Sequence, residues 1–171
     1  MKNRKALFLI LTLIFVMLIL KFVGLGKTES KSMYPTLQEE KLVIINKLSY
    51  IVAEPKRGDI VAVKKDGKKY IKRIVGVPGD TIEFIDGSVV VNGYELKEPY
   101  IEENIETNYA GVIEVLDNQY FLLGDNREVS LDGRYWEEKC VEKEDLVGRV
   151  VYYFDTWLGT KVPQYESISK L

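Results

Sequence analysis

Two side chains of this 171-residue chain have the types needed for nucleophilic catalysis without imidazole. Ser32 lies in Ser30-Lys31-Ser32-Met33-Tyr34-Pro35-Thr36-Leu37, and Lys72 lies forty residues downstream in Tyr70-Ile71-Lys72-Arg73-Ile74-Val75-Gly76-Val77-Pro78-Gly79-Asp80. A serine hydroxyl attacks a carbonyl only if something takes its proton, and histidine is the usual acceptor. The chain has no histidine. The acceptor must then be a carboxylate or an uncharged lysine, and Ser-Lys pairs perform this chemistry elsewhere. A free lysine amine titrates near 10.4, so about one in 2,500 is neutral at pH 7, and forcing that state costs about 4.6 kcal/mol. Burial lowers the cost, because desolvation disfavours the ammonium form, and nearby cations act in the same direction. Read alone, the same residues also fit a lysine on a half-exposed strand and a serine capping a loop.

The elements that must hold these groups read as β. Ile60-Val61-Ala62-Val63 and Tyr70 to Val75 are apolar runs flanking Lys64-Lys65-Asp66-Gly67-Lys68-Lys69, the pattern of a hairpin with Asp-Gly at its tip. On the second strand side chains alternate, so Lys72 shares a face with Tyr70 and Ile74, while Ile71, Arg73 and Val75 take the other. Leu42 to Ile45, Gln119 to Leu123 and Leu146 to Phe154 are further strands, and Thr81 to Leu96 is a meander punctuated by Asp86-Gly87 and Asn92-Gly93. The lysines at the hairpin tip read as a solvated turn rather than a binding patch. The expectation is a mainly β, antiparallel domain, with a small β-rich insertion at about 81–118.

Ahead of the serine block, Ala6 to Leu20 is fifteen residues long and apolar except for Thr12. If Lys21 snorkels, the segment continues through Leu25, and twenty helical residues at about 1.5 Å each reach roughly 30 Å, a bilayer core. Met1-Lys2-Asn3-Arg4-Lys5 would keep its positive end in the cytoplasm. The expectation is a cytoplasmic tail at 1–5, one transmembrane helix at 6–26 and an extracytoplasmic body at 27–171. A cleaved leader is the competing reading, since Gly24 and Gly26 are small residues at a suitable separation.

Composition narrows the classes. Residues 1–26 hold four basic and no acidic residues, leaving 20 basic against 26 acidic residues in the body. That balance argues against a nucleic-acid partner, which asks for a basic face. The single cysteine, Cys140, excludes an intramolecular disulfide and any Cys-rich metal site, and reads as a small, at least partly buried apolar residue.

Four ordered blocks then point to one family. They are Ser32-Met33-x-Pro35-Thr36-Leu37, Arg57-Gly58-Asp59-Ile60-Val61, the lysine block at 70–80, and Gly124-Asp125-Asn126-Arg127-x-x-Ser130-x-Asp132-Gly133-Arg134-Tyr135-Trp136. From the apolar N-terminus to about Val151 the chain resembles the type I signal peptidases, in their compact Gram-positive form. The resemblance implies a single-pass cell-membrane serine endopeptidase that needs neither metal nor other cofactor. Its partners would be signal-peptide-bearing preproteins, cut after small residues in an Ala-x-Ala pattern, and the lipid bilayer.

Residue by residue, the resemblance makes Ser32 the nucleophile and Lys72 its general base. It assigns the oxyanion hole to the Ser32 backbone N–H and the Ser30 hydroxyl. Ser130 matches a hydroxyl that orients the lysine amine, and Asp125, Asp132 and Arg134 match a polar network beneath the site. Met33, Leu37, Tyr70 and Ile71 are the apolar residues nearest these positions and are expected to line the substrate pockets. Trp136 is followed by Glu137-Glu138-Lys139, where the family commonly continues with glycine and a proline-containing stretch. Two alternatives differ in class: a self-cleaving Ser-Lys repressor, which would carry a DNA-binding domain, and a membrane-anchored β module that binds without catalysis. The oligomeric state is left open.

Overall fold

The computed structural model describes residues 2–102, 105–154 and 159–163. Helix α1 spans Lys2–Lys21, with Lys21 in its last turn, where a cation complements the exposed carbonyls. Leu7, Phe8, Ile10, Ile14, Phe15 and Leu20 stand exposed along it. The helix does not run to residue 26. After Phe22 the chain becomes strand β1, Val23–Lys27, where a β-branched residue and two glycines favour extended backbone over helix. Among the described residues no helix is long and apolar enough to cross a membrane. The expected spanning helix over 6–26 is corrected accordingly. The apolar run from Ala6 to Leu20 makes about 22 Å of helix, short of a bilayer core, because the residues meant to complete it pair in a sheet.

The rest is antiparallel β. β2 is Leu42–Asn46, a short helix α2 is Ser49–Val52, β3 is Ile60–Lys65 and β4 is Lys68–Gly76. Strands β5 (Thr81–Ile85), β6 (Ser88–Val91), β7 (Tyr94–Glu95) and β8 (Ile113–Glu114) follow, then β9 (Gln119–Leu123), β10 (Cys140–Glu142), β11 (Leu146–Phe154) and β12 (Gly159–Lys161). The larger sheet runs β1-β2-β11-β3-β4-β9-β10, with β12 on β11, and the smaller runs β7-β6-β5-β8.

The β3–β4 hairpin is the frame of the site. Asp66 and Gly67 both take positive φ, 50° and 71°, the two-residue turn that matches strand twist and that Asp-Gly adopts at least cost. That turn fixes a register in which Lys72 faces Val61 and Arg73 faces Ile60.

Alternation on β3 splits the core in two. Ile60 and Ala62 pack with Met33, Leu37, Val43, Ile45 and Val150, while Val61 and Val63 pack with Ile74, Tyr120, Leu122, Trp136 and Leu146. A third cluster joins the two sheets, with Ile82, Val89, Val91 and Ile113 of the smaller sheet against Val75, Phe121 and Leu123 of the larger. Gly76 lies at this seam: a Cβ there would come 2.8 Å from Val115 and 2.9 Å from Phe121.

Candidate active site

Ser32 enters the site on a single 3-10 turn, Lys31–Met33, capped by Ser30. Its loop is closed at the base by Thr28, whose hydroxyl donates to the Gln38 carbonyl at 2.6 Å and accepts from the Lys41 N–H at 2.9 Å. Tyr34 is extended, at φ −66° and ψ 142°, as a residue before proline should be. At the end of β9 the chain bends at Gly124, and the Asn126 N–H donates to the Ser32 carbonyl at 3.1 Å. Gly124 has to be glycine: a Cβ there would lie 2.1 Å from the Ser130 hydroxyl oxygen and 2.4 Å from the Ser32 carbonyl oxygen. The nucleophile turn and the 124–134 loop therefore touch through backbone, without an intervening side chain.

On β4 the Lys72 amine comes within 2.8 Å of the Ser32 hydroxyl oxygen. Lys72 is only 2 % exposed, whereas Ser32 is 8 % exposed and Ser30 stands at the surface. The pair therefore has its amine inside and its hydroxyl nearer the rim. Burial pushes the Lys72 amine down to about 8, against the opposing pull of Asp132 and Asp125, with Arg134 adding to the fall. The face of Tyr70 stands 5.8 Å from the amine, as strand alternation requires. The Ser30 hydroxyl donates to the Ser32 Oγ at 3.1 Å, and the Ser32 N–H points back at the Ser30 Oγ at 3.5 Å. Both groups expected to form the oxyanion hole thus sit beside the Ser32 hydroxyl, paired with each other.

Beneath the dyad lies a set of buried ion pairs. Asp132 accepts from Arg134 at 2.9 and 3.0 Å and from the Gly124 N–H at 3.0 Å, so one carboxylate pins both ends of the 124–134 loop. Asp125 forms a two-pronged pair with Arg73, at 2.8 and 2.6 Å, and Arg73 also donates to the Gly58 carbonyl at 2.8 Å. Arg127 donates to the Gly124 carbonyl, to Thr107 and to both carboxylate oxygens of Glu98. The Tyr100 ring stacks 3.8 Å from the Arg73 guanidinium.

Other expected residues fall differently. Ser130 is buried, but its hydroxyl has no hydrogen-bond partner among the described residues, so the expected bond to the Lys72 amine is absent. The Ser130 N–H is spent on the Asn126 carbonyl, which fixes the residue in the loop while leaving its oxygen idle beside Gly124. Met33 and Leu37 are corrected as pocket lining: at 2 % and 0 % exposed they belong to the core, packed in one cluster with Val43, Ile60 and Val150. Tyr70 and Ile71 are half-buried, Tyr70 tilted against Trp136 and Ile71 against the cluster that holds Met33.

The roles of Arg73, Arg127, Glu98 and Tyr100 are not evident from the sequence. The one available signal is Arg73 itself, a guanidinium inside an apolar strand run, which must find a buried acid. Cys140 is a free, partly buried thiol that burial pushes up to about 11, which keeps it in the neutral form at pH 7. After Trp136 the chain closes onto β9 through β10, with the Lys139 amine donating to the Arg134 carbonyl at 3.0 Å. The described residues hold no His/Cys/Asp/Glu cluster able to bind a metal. Val150 to Phe154, which by residue type fit either a core strand or, with Trp157 and Leu158, a membrane-dipping surface, lie in β11 with Val150 in the core, while Trp157 and Leu158 lie outside the described residues.

Comparison with known proteins agrees with this geometry. Residues 1–157 match the signal peptidase, peptidase S26 family. The chain is similar to a probable signal peptidase I-2 of Synechocystis sp., 42% identical over 133 residues, covering 73% of this chain and 60% of that protein. It is also similar to signal peptidase I S of Bacillus subtilis, 39% identical over 116 residues, covering 62% of this chain and 63% of the relative. The match thus spans rather less than two thirds of each relative's length. A crystal structure of a signal peptidase I from Enterococcus faecalis V583 superposes with a TM-score of 0.50 at 30% identity, covering 57% of this chain and 97% of that one. With its antiparallel sheets matching that structure and its sequence matching the family almost from end to end, the chain belongs to the signal peptidase family, peptidase S26.

Proposed function

We propose that this chain is a membrane-anchored serine endopeptidase that removes N-terminal signal peptides from exported preproteins after small residues, with Ser32 as nucleophile and Lys72 as general base. The observation that carries the reading is the 2.8 Å contact between a buried amine and a serine hydroxyl in a chain without histidine.

With the amine near 8, about one in ten is neutral at pH 7, and the energetic cost of the active form falls to about 1.4 kcal/mol. In that form the hydrogen bond reverses. The Ser32 hydroxyl donates to the amine lone pair, Oγ attacks the scissile carbonyl, and Lys72 takes the proton and returns it to the leaving amine. Charge on the former carbonyl oxygen is met by the Ser32 N–H and the Ser30 hydroxyl, a type of contact worth roughly 3 kcal/mol of barrier per donor. Water deacylates Ser32 with the same lysine as base. Asp125, Asp132 and Arg134 hold the loop that abuts the Ser32 carbonyl. Tyr70 and Ile71 are the remaining candidates for contact with the small side chains before the cut.

The membrane part of the reading rests on α1. It carries apolar side chains outward with no acid in its first turn, and Lys2, Arg4 and Lys5 at its start favour a cytoplasmic N-terminus. Its apolar stretch from Ala6 to Leu20 covers about 22 Å, and the snorkelling lysines at its two ends extend its reach toward the headgroups. The body beginning at Val23 would then lie on the extracytoplasmic side.

The test is direct. Detergent-solubilised full chain is incubated with a preprotein carrying an Ala-x-Ala site, and the new N-terminus is sequenced. Cleavage after the second alanine is the expected result, and release elsewhere, or none, sinks the reading. Carbonate extraction of membranes and protease protection of the body test the anchor and its orientation.

A further inference from the structure

The buried charges that pair around the 124–134 loop come from three separate parts of the chain. β4 supplies Arg73, the 124–134 loop supplies Asp125, Arg127, Asp132 and Arg134, and the segment returning from the smaller sheet supplies Glu98. Among the described residues each of these three carboxylates is paired with one of the three guanidiniums: Asp125 with Arg73, Glu98 with Arg127, and Asp132 with Arg134. The side chains are nearly all withdrawn from solvent, Glu98 at 10% being the most exposed. A dry cluster tolerates balanced charge and resists an unmatched one. Protonated Lys72 would be that unmatched charge, since its own contacts are the neutral Ser32 hydroxyl and the Tyr70 ring.

Glu98 is the one acid in this set that comes from outside the catalytic sheet and its loop. It receives Arg127 on both oxygens and the Tyr100 hydroxyl at 2.7 Å. Tyr100 in turn covers Arg73, the strand neighbour of Lys72. Arg127 grips the Gly124 carbonyl at 3.1 Å, at the point where the loop meets the nucleophile turn.

We propose that Glu98 is a positioning residue for the Lys72 base: by neutralising Arg127 it completes the charge balance of the buried cluster whose Asp125, Asp132 and Arg134 act on the amine. The inference rests on the reading of Lys72 as general base. The groups that act on Lys72 are Asp132 and Asp125, which favour its proton, and Arg134, which opposes it; those that act on Arg127 are Glu98, Tyr100 and Asp125. Deleting the Glu98 charge leaves a surplus cation and makes the amine harder to protonate. Deleting the Arg127 charge leaves a surplus anion and makes it easier.

The experiment follows the amine itself. Full-length protein in detergent micelles is labelled with 13C,15N-lysine, the Lys72 signal is assigned by its loss in Lys72→Arg, and its titration midpoint is measured. Glu98→Gln, nearly isosteric, should lower the midpoint by about one pH unit, Arg127→Gln should raise it by a similar amount, and the double variant should return it to the wild-type value. Glu98→Asp should leave it close to wild type. An unmoved midpoint in Glu98→Gln overturns the proposal, as does a shift of the same sign in both single variants, the mark of simple loosening. If Glu98→Gln does not fold, the upward shift in Arg127→Gln and its absence decide the matter. If the midpoint moves as stated while the acidic limb of kcat/KM stays still, the general-base assignment fails and the charge balance stands.

Discussion

At the scale of single residues, the proposed chemistry turns on whether Lys72 can lose a proton. Lys72→Arg keeps the charge and approximate length, but arginine stays protonated in proteins. Steady-state cleavage by Lys72→Arg should be undetectable, and substantial activity would mean that the residue serves only as a cation. In the wild type, the acidic limb of the kcat/KM profile should report a group titrating near 8 rather than 10.4. Ser32→Ala should abolish turnover with the melting temperature almost unchanged, because it removes one oxygen at the rim of the fold. Ser30→Ala should slow kcat by roughly 10²–10³ if its hydroxyl stabilises the oxyanion. An unchanged rate would leave that task to the Ser32 N–H. The contact between Ser32 and Lys72 is legible in the residues alone, because the lack of histidine leaves few bases and alternation places Tyr70 over Lys72. The neighbours are less legible. Met33 and Leu37 flank Ser32 and so resemble pocket residues, yet both pack into the core with Val43 and Ile60, and no sequence period reports that.

At the scale of elements, the hairpins are readable because Asp66-Gly67, Asp86-Gly87 and Asn92-Gly93 all pair an Asx residue with glycine at positive φ. The end of α1 is not. Apolar residues serve a membrane helix and a paired strand equally, and only the register of Val23–Lys27 against Leu42–Asn46 decides between them. Nor can spacing along the chain show that Arg73 meets Asp125 or that Glu98 meets Arg127, because those partners are set by tertiary packing. Two elements approach tightly at Gly124, where the 124–134 loop lies against the Ser32 backbone. Gly124→Ala should push the nucleophile turn away from Lys72 and lower kcat by at least tenfold, with KM less affected, since a misplacement of about 1 Å in a catalytic contact costs on the order of 10²-fold. Wild-type kcat in this variant would show that the two segments can part without consequence.

At the scale of the whole molecule, the active site is a cost to the fold. The Lys72 amine falls from about 10.5 to about 8 on burial, so the unfolded chain holds more protons than the native one between those values. Stability should therefore rise with pH across that window, and below pH 8 the penalty is present in full, about 3 kcal/mol. Replacing Lys72 by Met should accordingly stabilise the inactive protein at pH 7 by up to that amount, and the gain should vanish above about pH 10. Denaturant melts of the two proteins at pH 7 and pH 10.5 check this, and an equal difference at both would refute it. Finally, α1 gives way to β1 after the single residue Phe22, whose carbonyl accepts from the Lys47 N–H at 2.8 Å. The eleven positions from Phe22 to Ser32 can extend at most about 37 Å. If α1 is held in a bilayer, it acts as a tether of fixed length, and the blade works only within a thin layer above the lipid. Substrate choice would then depend on how far a bond stands from the membrane as well as on which residues flank it. A Gly/Ser spacer inserted after Lys21 should admit cleavage sites farther from the apolar core of the signal peptide than the native chain accepts.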